Sequence, residues 1–141
     1  MTFALVFSLS LSLSLSLSLS LRVANGQALV RNGIPPELRG SIWQILADSK
    51  RLREREVPTY YRALVEAGQT HATLAAAEIE KDLHRTFPNN VAFESEKGID
   101  TLRSVLLAYS VRNPKIGYCQ SMNFVCALLL LFMNEEVRQM L

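Results

Sequence analysis

Two hydrophobic periods divide the chain. From Ser8 to Leu21 serine and leucine alternate without a break. Period two lines every leucine along one face of an extended strand and would spread leucine over all sides of a helix. After Arg22 the apolar positions recur at threes and fours instead. Leu38, Ile42, Ile45 and Leu46 form one buried stripe with Trp43 beside it, and Pro36 suits the first turn, where its missing N–H costs nothing. A second helix is predicted from Pro58 to Ala67, with Tyr60, Tyr61, Leu64 and Val65 inward and Gly68 as its stop. Between them Arg51–Glu56 alternates in sign and reads as a solvated connection.

A third helix is expected over Ala72–Arg85, ending before Thr86-Phe87-Pro88, where proline halts propagation. Asn89–Glu96 reads as a loop. Ile99, Leu102, Leu106 and Tyr109 mark a fourth helix, closed by Asn113-Pro114. A fifth runs from about Tyr118 to Met133. Its core, Phe124–Met133, is apolar on every side and too short for a bilayer, so it is expected to be a buried central helix. Strand signals are scarce, and the predicted class is all-α with short connections.

Charge sharpens the division. All 15 Lys and Arg and all 13 Asp and Glu follow residue 21. The organisation expected is therefore a low-complexity segment over 1–21 and one globular unit over 22–141. The front segment has three readings: a secretory signal without the usual preceding Lys or Arg, a membrane helix diluted by serine, or a translated CT repeat with no role in the fold. The last is favoured. A hydrophobic content of 49% excludes disorder as the general state. A net charge of +2 argues against a nucleic-acid partner held by bulk charge. Two cysteines cannot build a disulfide framework.

Familiar catalytic signatures are missing. The chain has no GxxxxGK[ST], GxGxxG or GxSxG. Cys119, Cys126, His71 and His84 lack metal-ligand spacing, so no metal or cofactor is expected. Two short segments stand out. In Ile79-Glu-Lys-Asp82-Leu-His-Arg85-Thr-Phe87-Pro88, helical phase sends Ile79 and Leu83 to the core and Asp82 and Arg85 to another side. An i, i+3 pair can hold the guanidinium, or be an ordinary surface salt bridge. In Gly117-Tyr118-Cys119-Gln120-Ser121-Met122-Asn123-Phe124, three polar side chains gather where the apolar helix begins. Asn123 could serve as a cap there, but Gln120 is a poor capping residue.

With Arg31-Asn-Gly33-Ile34-Pro35-Pro-Glu-Leu38-Arg39-Gly-Ser-Ile-Trp43 upstream, these segments resemble, in order, three motifs of the TBC family of GTPase-activating domains for Rab GTPases. The resemblance runs from about Val30 to Glu136 and implies the all-α, multi-helix fold of that family, truncated after its N-terminal half to two-thirds. It implies acceleration of GTP hydrolysis on a GTP-bound Rab partner. Arg85 would be an arginine finger and Gln120 a glutamine finger, both supplied in trans. Asp82 would orient Arg85, and Tyr118 and Asn123 would shape the loop presenting Gln120. Leu38, Trp43, Phe87 and Met122 read as packing residues. Mg-GTP would be carried by the GTPase, so the chain would regulate an enzyme rather than turn over a substrate of its own. Location would be cytoplasmic, peripheral to endomembranes through the GTPase, in vesicle trafficking. The alternative is a non-catalytic Rab-binding or scaffold fragment that retains the fold.

Two expectations concern departures from the family pattern. Ser121 stands where the family usually has glycine; a helical backbone, which serine tolerates, is favoured there over a left-handed one. The short chain is also expected to leave much of the Phe124–Met133 helix uncovered, a solubility liability.

Overall fold

The computed structural model describes residues 30–70 and 73–133. The Ser-Leu segment, the start of the third helix at Ala72 and everything after Met133 lie outside the described residues. Those described contain helices and no strand, as expected from the periodicity: α1 (Pro36–Leu46), α2 (Ser49–Arg53), α3 (Tyr60–Thr70), α4 (Leu74–Leu83), α5 (Val91–Glu94), α6 (Glu96–Arg112) and α7 (Met122–Phe132). The chain divides into two compact units at Lys50 and Arg51.

In the first unit, α1 starts on the proline pair, and the Arg39 Nε donates to the Ile34 carbonyl at 3.0 Å. Its stripe is only half-buried and Leu46 is exposed, so the predicted burial does not hold. The sign-alternating connection is also corrected: Ser49–Arg53 is a short, largely exposed helix.

In the second unit, α6 is the central element and packs against α3, α4, α5 and α7. Leu102, Val105, Leu106 and Leu107 fill its buried faces, joined by Ile79 and Leu83 from α4, Phe93 from α5 and Cys126 and Ala127 from α7. The expectation that α7 occupies the centre is overturned. Its Phe124, Val125, Leu128 and Leu131 are exposed among the described residues, and only one side meets the core. A helix apolar on all sides can bury only the sides its neighbours reach.

Gly68 does not stop α3, which continues to Thr70. Gly68 is buried, and a Cβ placed on it would sit 2.9 Å from the Leu107 Cβ and 3.2 Å from the Leu107 carbonyl carbon. The glycine is there for close approach of α3 to α6, and a burial requirement outweighs its poor helix propensity. The predicted loop Asn89–Glu96 also contains α5, a single turn capped by Asn90, whose Oδ1 accepts from the Ala92 N–H at 3.0 Å. Ser95 then caps α6 through Gly98 N–H at 3.1 Å. Two caps five residues apart leave no room for irregular chain.

Candidate functional site

The site is built where α4 ends and where α7 begins. Thr73 caps the start of α4 by accepting from the Ala76 N–H at 3.1 Å. At the other end the helix stops at Leu83, with His84 as its cap. Phe87 and Asn89 follow with φ of 46° and 71°, left-handed backbone that turns the chain sharply around Pro88. Phe87 is held by ring contacts to Phe93 at 6.3 Å and to Phe124 at 5.6 Å, the latter edge-on. That cluster fixes the exit path of the segment bearing Arg85.

Asp82 lies in the last turn of α4, where a carboxylate is unfavourable to the helix dipole. It is also buried, 5% exposed, although helical phase sends it to a different side from Ile79 and Leu83. Tyr118 covers it from a distant segment, while Arg85 lies beyond the helix end. Both carboxylate oxygens are engaged. Oδ1 receives the Arg85 Nη2 at 2.5 Å, and Oδ2 receives the Tyr118 hydroxyl at 2.7 Å. The Asp82–Arg85 pair is therefore not an ordinary surface bridge: one partner is buried and the other has a side chain 54% exposed. The guanidinium is tethered at one nitrogen and keeps its remaining donors toward solvent.

The second half of the site is a tight turn. Cys119 O accepts from Met122 N–H at 3.2 Å, enclosing Gln120 and Ser121. Ser121 has φ 83° and ψ −15°, the values of the third residue of a type II turn. The favoured helical assignment for Ser121 is thus overturned, and the position does need left-handed backbone. Gln120 occupies the outer corner of that turn and is exposed. Upstream, Gly117 at φ 62° lets the chain reverse after α6 and bring Tyr118 inward.

Asn123 is not a cap. Ser121 holds the cap position of α7 and makes no side-chain capping bond. Asn123 is fully buried, and its Nδ2 donates to Thr86 Oγ1 at 2.7 Å. Thr86 Oγ1 in turn donates to the Asp82 carbonyl at 2.7 Å, beside the Arg85 N–H that the same carbonyl accepts at 3.3 Å. Asn123 Oδ1 has no partner among the described residues.

Asp82 links Arg85 and Tyr118 directly, Asn123 joins them through Thr86, and Gln120 sits in the turn between Tyr118 and Asn123. Asp82 and Thr86 flank Arg85, and Tyr118 and Asn123 flank Gln120. Two buried hydrogen bonds join the pairs across the fold, while Arg85 and Gln120 themselves stay exposed. Burial, then the hydrogen bond and negative charge of Asp82, raise the Tyr118 phenol above its ordinary range, so it stays a donor. Sequence reasoning missed Thr86. Its signal was local: a hydroxyl three residues past Leu83 can fold back on a helix-end carbonyl.

Among the described residues, no helix is long and apolar enough to cross a membrane. No cluster of three His, Cys, Asp or Glu side chains there could hold a metal ion.

Comparison with known proteins points one way. The Rab-GTPase-TBC domain family matches residues 36–139. TBC1 domain family member 2B of Xenopus tropicalis is 44% identical over 114 residues, 78% of this chain and 12% of that protein. The Mus musculus protein of the same name is 41% identical over 112 residues, covering 77% and 12%. The crystal structure of a Chlamydomonas flagellar RabGAP TBC domain superposes with a TM-score of 0.74 at 30% identity, over 84% of this chain and 41% of that one. The chain spans about an eighth of the length of these curated relatives.

Proposed function

The chain belongs to the Rab-GTPase-TBC domain family, and on that premise we propose that it is a GTPase activator acting on GTP-bound Rab-type GTPases. Arg85 serves as the arginine finger and Gln120 as the glutamine finger. The observation that carries the reading is the pair of buried links, Asp82–Tyr118 and Thr86–Asn123, beneath two exposed side chains of the required chemistry.

A small GTPase hydrolyses GTP slowly because its site lacks positive charge for the transition state and holds the attacking water loosely. Arginine offers permanent charge and forked donors to the transferring phosphoryl group, a contribution of about 10³–10⁵ in rate for fingers of this kind. Glutamine can donate and accept at once, which suits orienting the water. Asp82 holds Arg85 by one nitrogen, so the guanidinium is pre-aimed and loses less freedom on docking. Mg-GTP comes with the GTPase. The protein works in the cytoplasm, meeting endomembranes only through that partner during vesicle trafficking.

Single-turnover GTP hydrolysis with a panel of Rab-type GTPases tests this. Arg85→Ala and Gln120→Ala should each remove most of the acceleration. Acceleration retained by both variants would sink the assignment of the fingers. Binding to GTP-loaded Rab without acceleration would instead favour a non-catalytic scaffold, the second reading, to which the uncovered apolar side of α7 lends some support.

A further inference from the structure

We infer that Thr86 is a positioning residue that sets Gln120 relative to Arg85, a step that rests on the GTPase-activating role proposed above. Thr86 follows Arg85 directly in the chain. Its hydroxyl donates to the Asp82 carbonyl and accepts from Asn123 Nδ2, each at 2.7 Å. Thr86 is 2% exposed and Asn123 0%, so water does not compete for these bonds.

The second link matters for a geometric reason. Asp82 and Tyr118 meet at one point, through a side chain that can swing about its own bonds. That bond holds the turn on the side of Tyr118, ahead of Gln120. The Thr86–Asn123 bond lies on the other side of the same turn, because Tyr118 precedes Gln120 and Asn123 follows it. Two separated hydrogen bonds therefore hold the turn from both sides of Gln120. Two groups acting on one phosphoryl transfer must both stay within a fraction of an ångström of their working positions.

Only a hydroxyl does this at position 86. It has to give a proton to one partner and take one from another through a single oxygen. Valine matches the shape of threonine and can do neither. Serine retains both. On the other side, Asn123 Oδ1 has no partner among the described residues, so the orientation of the amide depends on its bond to Thr86.

The test uses the full chain and the same panel of GTP-loaded Rab-type GTPases, with maximal rate and half-saturating concentration measured separately. Thr86→Val should lower the maximal rate about 10-fold or more and leave the half-saturating concentration unchanged, since the exposed surface is untouched. Thr86→Ser should restore the rate. Thr86→Val leaves the Asn123 amide buried and unsatisfied, so the double variant Thr86→Val/Asn123→Leu, with no polar atom stranded, is measured beside it. Its melting temperature should recover while its rate stays low. A folded double variant with the wild-type rate, or a Thr86→Val loss confined to half-saturation, overturns the inference and leaves the GTPase-activating role standing. Absence of acceleration by the wild-type chain overturns both.

Discussion

The Tyr118 hydroxyl donates to Asp82 Oδ2 at 2.7 Å, across 36 residues of sequence. One short contact therefore joins the end of α4 to the turn before α7. Tyr118→Phe removes the donor and leaves a buried carboxylate with Arg85 as its remaining side-chain partner. The expected cost is about 1.5–3 kcal/mol of stability, the range for a hydrogen bond to a charged group. GTPase acceleration should fall with it. Urea unfolding and single-turnover rates on the same preparation measure both, and an unchanged pair would show that the contact contributes nothing.

Ser121 adopts φ 83°, a conformation that costs a residue with a Cβ about 1–2 kcal/mol. Ser121→Gly should stabilise the protein by about 1 kcal/mol, because the hydroxyl makes no capping bond that would be lost. The midpoint of chemical denaturation should rise without a change in slope.

At position 68 local propensity and packing oppose each other. Alanine favours a helix over glycine by about 1 kcal/mol. Yet a Cβ at Gly68 would lie 2.9 Å from the Leu107 Cβ and 3.3 Å from the Leu107 carbonyl oxygen, and backbone cannot swing aside as a side chain can. Gly68→Ala should therefore destabilise by about 1–3 kcal/mol, the usual range for overpacking. A rise in melting temperature would contradict the close approach of α3 and α6.

Burial pushes the Cys126 thiol up to about 12, and burial with the Asp82 contact raises Tyr118. Both groups ionise more easily in the unfolded chain, near pH 8.5 for cysteine and 10 for tyrosine. Their contribution to stability is complete below about pH 8.5 and is lost as pH climbs toward 12. The denaturation midpoint should accordingly decline through that window. In native protein at pH 8 a thiol reagent should label exposed Cys119 quickly, and Cys126 only on unfolding.

The outer side of α7 exposes Phe124, Val125, Leu128 and Leu131. Contiguous apolar surface of this kind drives association. Val125→Lys with Leu128→Lys should shift the chain toward the monomer in light scattering and raise its solubility, leaving the melting temperature little changed because both side chains are already in contact with water.

How much of this was legible beforehand differs from residue to residue. Ile79 and Leu83 point to the core as their spacing required, and Asn113 closes α6 where asparagine-proline suggested. The all-α class and the ordered motifs also lay open in the sequence, because helical period and turn chemistry are properties of neighbouring residues. Tertiary contact decided the rest. Gly68 reads locally as a stop and acts as a packing notch, since Leu107 lies opposite it. Asp82 reads as a surface charge and is buried, since Tyr118 covers it from a distant segment. Ser121 reads as helical and is left-handed, since the chain must turn before α7 can reach the core. Helix α7 reads as the centre, but α6 holds that place because its neighbours surround it. Hydrophobic spacing states which side of a helix seeks cover. Which segment supplies that cover, and which polar group it buries, depends on residues tens of positions away in the chain.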